Sequence, residues 1–505
     1  MHHIFAFLPL LHYPLFVMEI KLNTKGKLWV DIAACAVWSL FVLIVSGCNF
    51  ALMNPVTIAI LILGFAGFSY LILKNEGAGK EARITAVVTI LAVGVRTLYV
   101  LYTGAEQRQH DLGEFETYHE LNYHTEYIEY LLNNHKLLNE DVRLHWQFYH
   151  PPLTHIVSAV FFGIYRKIAP AYAHNWDALQ CLSLFYSLVT LAVLKKFTGL
   201  WNLSEKAKTV AYLTVALLPQ FIYFSGALNN DPLAVMFAIA SLYIALIWYN
   251  DEKKSFLKLM GMSLMIGLGM MAKLSAGLIA VPVAFIMLKA FFESKTKLKM
   301  FFEYAAFIVV CAPLGLWYQV RNYILWKVPI TYVARPDIEA SPGQLIAPMP
   351  FWNRFLAFGD GVDYNIISET LNAACFDDEY YRDYMPLALV GYFLLSAFTV
   401  FAITILLNFI FTWIKERNMM NLVMTILLVS QLASYVYFCF DYPYTCTMAY
   451  RYIVPTIIAG AYYSGKSIDK APHLMGLITK VTIYAVAIFS FILYCFAWLL
   501  DFRTA

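Results

Sequence analysis

Residues 109–155 read QHDLGEFETYHELNYHTEYIEYLLNNHKLLNEDVRLHWQFYHPPLTH, a polar passage between apolar runs long enough to cross a bilayer. Seven of the twelve histidines fall within residues 104–155. The loop 104–151 carries nine Asp/Glu against three Lys/Arg, so it is acidic as well as rich in titratable groups. A hydrophilic break of this length with some helical pattern of its own is more often functional than filler. The side of the membrane on which it lies fixes the side of every later loop.

The rest of the composition defines the solvent. The 505 residues are 61% hydrophobic and only 14% charged, with mean hydropathy +0.62, which places the chain among polytopic membrane proteins. A net charge of +3 with no long basic block is too small to suggest nucleic-acid binding, and no nucleic-acid partner is expected. The eight cysteines show no CxxC pair and no zinc spacing; Cys439 and Cys446 read as apolar fillers rather than a disulfide. Residues 1–17 lack a basic n-region and a cleavage site, and Met18 before EIKLNTKGK is the better start, which leaves 1–27 as an N-terminal segment.

Apolar runs lie near 28–48, 55–74, 84–103, 152–168, 178–196, 209–227, 232–250, 256–273, 275–292, 301–320, 384–412, 420–438, 451–465 and 474–499. Lysines before the first run and between the second and third read as cytoplasmic, which puts 104–151 outside. The later clusters at Lys195/Lys196, Lys253/Lys254/Lys258, Lys289 to Lys299 and Lys415/Arg417 can all lie inside only if 152–168 does not cross. The expected fold is therefore an all-α polytopic membrane protein of about 13 transmembrane helices, a re-entrant or juxtamembrane helix and two long outer loops. The expected organisation is two additional helices in 28–83, a core in 84–320 holding the outer loop 104–151, a second outer loop 321–383, and C-terminal helices in 384–505.

This parity gathers scattered polar residues at one outer face. Asp111, just past a hydrophobic helix, is placed as a general base for an acceptor hydroxyl or amine. Glu116, His119 and Glu120 share one helical face, to bind a divalent metal or merely to meet water. Tyr149-His150-Pro151-Pro152 holds His150 at a helix start, where an anion is favoured. Asn230 and Asp231 form an acidic turn on the same face. Lys273, Arg321 and Arg451 fall at outer helix ends, against the positive-inside tendency, and a lipid phosphate would supply a partner charge.

In these motifs the chain resembles the GT-C glycosyltransferases with the dolichyl-phosphate-mannose–protein mannosyltransferase-like fold, including the aminoarabinose-transferase type. The resemblance runs in order through QHDLGEF, WQFYHPPLTHI, SGALNNDPLAVM, GLGMMAKLSAG, LWYQVRNYILW and AYRYIVPTI. The chain departs from the family at Asp111-Leu112, where many members have Asp-Glu, and the large soluble C-terminal domain of some relatives is not expected. The resemblance implies GT-C architecture and transfer of a sugar, with inversion, from a polyprenyl-phosphate donor to an envelope glycan, lipid or protein. Asp111 would be the base. Glu116, His119, Tyr149, His150, Asn230 and Asp231 would position donor and acceptor. His150, Lys273, Arg321 and Arg451 would bind the lipid phosphate. No cofactor is required by these motifs, and a divalent metal stays open. The resemblance implies a bacterial plasma membrane with the site facing outward, the endoplasmic reticulum being the alternative. The alternative is a transporter or lipid-linked-glycan flippase without covalent chemistry, against which the chain shows no repeated half and no matching pair of broken spans.

Overall fold

The computed structural model describes residues 28–105, 123–336, 343–359, 362–377 and 385–496. Among them the regular structure is helical, apart from one isolated antiparallel bridge between Leu345 and Tyr444. The order is α1 (Leu28–Ser46), α2 (Pro55–Asn75), α3 (Lys80–Tyr102), α4 (Tyr123–Asn134), α5 (Leu153–Ile168), α6 (Gln180–Gly199), α7 (Glu205–Ala216), α8 (Pro219–Tyr223) and α9 (Asp231–Tyr249). It continues with α10 (Phe256–Ala272), α11 (Ala280–Glu293), α12 (Lys297–Trp326), α13 (Asn353–Leu356), α14 (Ile366–Phe376), α15 (Met385–Lys415), α16 (Met419–Asp441), α17 (Thr456–Lys470) and α18 (His473–Phe496). Ten helical stretches are long and apolar enough to cross a bilayer, as a polytopic all-α membrane protein requires.

Three of the expected spans take other forms. The run 209–227 is split into α7 and α8, because Pro219 has no N–H to continue the ladder. The buried Arg96 fills that break, donating to the Ala216 carbonyl at 2.8 Å and to Ser187 Oγ at 3.0 Å. The run 256–273 is the 17-residue α10, and 451–465 opens with a 3-10 turn at Tyr450–Tyr452 before α17 begins at Thr456.

Polar contacts sort the helix ends into two sets. At one end Lys196 pairs with Asp31 at 3.3 Å and Lys195 with Glu76 at 2.5 Å, joining the end of α6 to the start of α1 and the end of α2. There too Glu416, after α15, takes Lys466 and Lys470 of α17 at 2.7 and 2.5 Å, and Asp469 accepts from Ser204 N at 2.6 Å before α7. This is the lysine-rich end. At the opposite end Asp177 accepts from Asn49 at 2.5 Å and from the Ala105 amide at 2.6 Å, where α1 and α3 finish.

Both ends of α5 belong to that opposite set. His155 in its first turn meets His124 of α4, and Arg166 in its last turn reaches Glu129 of α4 and the Ala173 carbonyl. Asn175 then donates to the carbonyl of Gly47, just after α1, at 2.9 Å. So α5 starts and finishes at one end of the bundle, packed on α4, as the distribution of lysines requires. The expected outer loop 321–383 is partly helical. Its first residues extend α12 to Trp326, and α14 packs against α8, with Tyr494 donating to the Cys375 carbonyl at 3.1 Å.

Candidate active site

Two antiparallel helices bring the central ion pair together. Asp231 is the first residue of α9, where orphan N–H groups favour a carboxylate, and the Asn229 side chain accepts from its amide at 2.9 Å. Lys273 follows the last residue of α10, where exposed carbonyls favour a cation. Lys273 Nζ lies 2.6 Å from Asp231 Oδ1, with side-chain exposures of 13% and 6%, so both charges are largely withdrawn from water. Glycines allow α10 this close approach: a Cβ on Gly267 would fall 2.9 Å from Leu314 of α12, and one on Gly269 3.3 Å from Phe237 of α9. Sequence reasoning took Lys273 as a cation lacking a protein partner. It has one, because the first turn of α9 faces the last turn of α10.

Tyr452 joins a second cation to this pair. The Lys273 ammonium stands 4.9 Å from the centre of the Tyr452 ring, and the Arg451 guanidinium 5.5 Å from the same ring. Burial pushes the Tyr452 phenol up to about 12, so it stays a neutral donor. Arg451 is carried by the 3-10 turn that precedes α17. The preceding segment is pinned where Ile346 N donates to the Pro443 carbonyl at 2.8 Å and Thr445 N to the Gln344 carbonyl at 2.9 Å.

The histidines close the other side. His150 N donates to the Gln147 carbonyl at 3.1 Å, in a turn that places Gln147 at φ +71°. Pro151 and Pro152 then start α5, and the Ile156 amide takes the Pro152 carbonyl at 2.8 Å. The His150 ring packs 4.2 Å from Tyr149 and 6.1 Å from His124, while His124 Nδ1 and His155 Nε2 lie 2.8 Å apart. Burial, then the Lys273 and Arg451 cations, hold His124 down to about 3; burial first and Lys273 second hold His150 well below its usual value. Burial, with His124 beside it, does the same for His155. All three rings are neutral near pH 7. His155 Nδ1 is buried with no hydrogen-bond partner. An orphaned acceptor costs less than an orphaned N–H, so the proton between the pair belongs on His155 Nε2. His124 then carries its proton on Nε2 and offers it as a donor.

The structure thus brings Tyr149, His150, Asp231, Lys273 and Arg451 to one end of the bundle, with buried Asn230 beside Asp231. Arg321 is engaged differently. Its guanidinium donates to the Leu138 carbonyl at 2.7 Å and to Asn322 at 3.0 Å, and packs 4.9 Å from the Trp326 ring. Its neighbour Tyr318 donates to the Phe148 carbonyl at 2.5 Å, two residues from His150. Asp111, Glu116 and His119 lie outside the described residues. Among the described residues no group of three or more His, Cys, Asp or Glu could hold a metal ion.

Sequence reasoning missed His124, His155 and Tyr452 as parts of this site. Glu126, 7% exposed in the first turn of α4, is raised to about 7 by burial, so it can hold a proton near neutrality. The two histidines that touch are 31 positions apart, and no local spacing announces them.

The fold is that of a polytopic all-α membrane protein, with Lys273, Arg451 and the neutral histidines gathered at one end of the bundle. Residues 150–317 match the family described as dolichyl-phosphate-mannose-protein mannosyltransferase. The match covers about a third of the chain and supports a mannosyltransferase-like membrane glycosyltransferase that uses a lipid-linked sugar donor. The matched stretch runs from His150 through Asp231 and Lys273 and stops four residues short of Arg321. No curated protein matches the chain.

Proposed function

We propose that the protein transfers a sugar from a polyprenyl-phosphate carrier to an envelope glycan, lipid or protein at the outer face of a bacterial plasma membrane, with inversion. The observation that carries this reading is the convergence of Lys273 and Arg451 on Tyr452, with His150 beside them, at the end away from the lysine-rich loops. With α5 outside the count of passages, the lysines of the short loops at the other end turn this end outward.

In this mechanism Asp111 takes the proton of the acceptor hydroxyl as its oxygen attacks the anomeric carbon. The bond from that carbon to the phosphate oxygen breaks on the opposite side, and its electron pair stays on the phosphate. Lys273 and Arg451 meet the growing negative charge, and His150 and His124 add neutral N–H donors. Asp231 holds the Lys273 ammonium in place, while Glu116, His119, Tyr149 and Asn230 position donor and acceptor. Arg321, through Leu138 and Tyr318, braces the segment that delivers His150 and reaches the phosphate only if the donor extends to it.

The test is transfer from candidate polyprenyl-phosphate sugars into a membrane extract, with free polyprenyl phosphate followed as the second product. Wild-type protein should release both products. Asp111→Asn should stay folded in detergent and release neither, because the base is lost while size is kept. Wild-type turnover in Asp111→Asn would move the base elsewhere, to Glu114, Glu116 or Asp231. Lipid movement across vesicles without any new glycosidic bond would favour the transporter.

A further inference from the structure

A second charged site lies at the lysine-rich end, remote from the cluster just described. The ends of α15 and α17 and the turn into α18 enclose a cleft of about 540 Å³, lined by Phe411, Thr412, Lys415, Glu416, Lys466 and Lys470 among others. Lys466 is 6% exposed and shares Glu416 with Lys470 at 2.7 and 2.5 Å. Three lysines and one carboxylate line the cleft, and with Asp469 acting on Lys470 from outside it the balance is still positive. Asp469, the next acid along α17, is taken by Ser204 N and Oγ at 2.6 and 2.5 Å.

The surroundings of the cleft are apolar. On α15, Ile410 and Ile414 are 45% and 72% exposed; on α18, Leu474, Leu477 and Ile478 are 66%, 45% and 44% exposed. These side chains continue the apolar flanks of two candidate spans up to the mouth of the cleft. A net cationic cleft of this volume, opening where apolar helix faces end, has the shape and charge of a phospholipid headgroup site. A freely soluble anion has no use for the apolar flanks, whereas two acyl chains lie along them.

We propose that the cleft between α15, α17 and α18 binds the phosphate of an anionic phospholipid in the leaflet at the lysine-rich end, its acyl chains lying on α15 and α18. Lys415 and Lys470, the accessible cations, take the phosphate. Buried Lys466 keeps Glu416 from turning into the site. This occupant is independent of the sugar donor, which belongs to the opposite end.

The test compares wild-type protein with Lys415→Gln/Lys470→Gln, exchanged into bilayer discs of phosphatidylcholine with a minor share of phosphatidylglycerol. Native mass spectrometry then counts the lipids each retains. Wild type should keep phosphatidylglycerol in preference to phosphatidylcholine, and the double variant should lose that preference on the order of 10- to 30-fold, at about fivefold per lysine near the surface. Lys415→Gln alone, at an exposed position, should lose about fivefold and serves if the double variant does not fold. Equal retention of the two lipids by wild type overturns the proposal, as does an unchanged preference in the variants. Inorganic phosphate raising the melting temperature as far as phosphatidylglycerol does would make the cleft a soluble-anion site and equally overturn it.

Discussion

Lys273 shows how much one side chain's meaning depends on its neighbour across the fold. Read alone, a lysine between two apolar runs is a boundary anchor, and its replacement by methionine should be neutral. Opposite Asp231 at 2.6 Å, the same change strands a carboxylate that is only 6% exposed. Removing one partner of a buried pair costs about 3–5 kcal/mol, and the residual access of Lys273 puts this case near the lower figure. Lys273→Met should therefore melt well below wild type, while Lys273→Met/Asp231→Asn should recover much of the loss because no unpaired charge remains. A single variant that melts like wild type would return Lys273 to the role of anchor. The histidines make a second residue-scale prediction. A histidine held below its usual value takes its proton first in the unfolded chain, so its effect is absent above about pH 6.5 and destabilises as pH falls, by up to about 1.4 kcal/mol per pH unit. For His124 that window extends down to about 3. Glu126 acts in the opposite sense: raised to about 7, it stabilises below its ordinary 4.5 and loses that contribution as pH rises through 7. Buried His155, 1% exposed, should contribute a full step, and half-buried His150 less. The melting temperature of His155→Gln should then fall less steeply than wild type between pH 6.5 and 4.5. Parallel curves would mean that His155 is protonated inside the fold. None of this was legible from the motifs. HPPL and the acidic turn before α9 mark where a site begins, but which titratable groups touch is decided by helix packing.

At the scale of elements, the apolar runs of the sequence located most helices, since about 20 apolar residues can do little else in a bilayer. The misses have local causes. Pro219 divides one run into α7 and α8, and a 3-10 turn delays α17 to Thr456, placing Arg451 on irregular backbone rather than on a helix. The standing of 152–168 came from charge, not hydropathy, because only a segment with both ends on one face lets every lysine cluster lie together. The pairing of Arg166 with Glu129 and of Asn175 with the Gly47 carbonyl is the structural form of that argument. In a background with exposed Cys446 replaced by serine, cysteines at Lys167 and at His174 should both react with an impermeant maleimide from outside intact cells. Labelling of Lys167→Cys only after permeabilisation would make α5 a crossing helix and invert everything after it.

The whole molecule is an axial arrangement of charge, with lysines and their carboxylate partners at one end and Asp231, Lys273, Arg451 and the histidines at the other. Positive charge in short loops stays cytoplasmic, so the lysine-rich end should face inward and the histidine end outward. The central cations of the histidine end are held, Lys273 by Asp231 and Arg451 against Tyr452. Two exposed positions report the two ends directly: Glu140, 60% exposed after α4, and Lys299, 67% exposed in the first turn of α12. In the same Cys446→Ser background, Glu140→Cys should react with an impermeant maleimide in intact cells, and Lys299→Cys only once the membrane is opened. Transfer to an impermeant acceptor should follow the Glu140 side in reconstituted vesicles sorted by orientation. The reverse labelling would turn the cation cluster toward the cytoplasm, and a lipid donor would then be used before it is moved across the membrane. Because α5 does not reach the lysine-rich end, parity leaves no third arrangement.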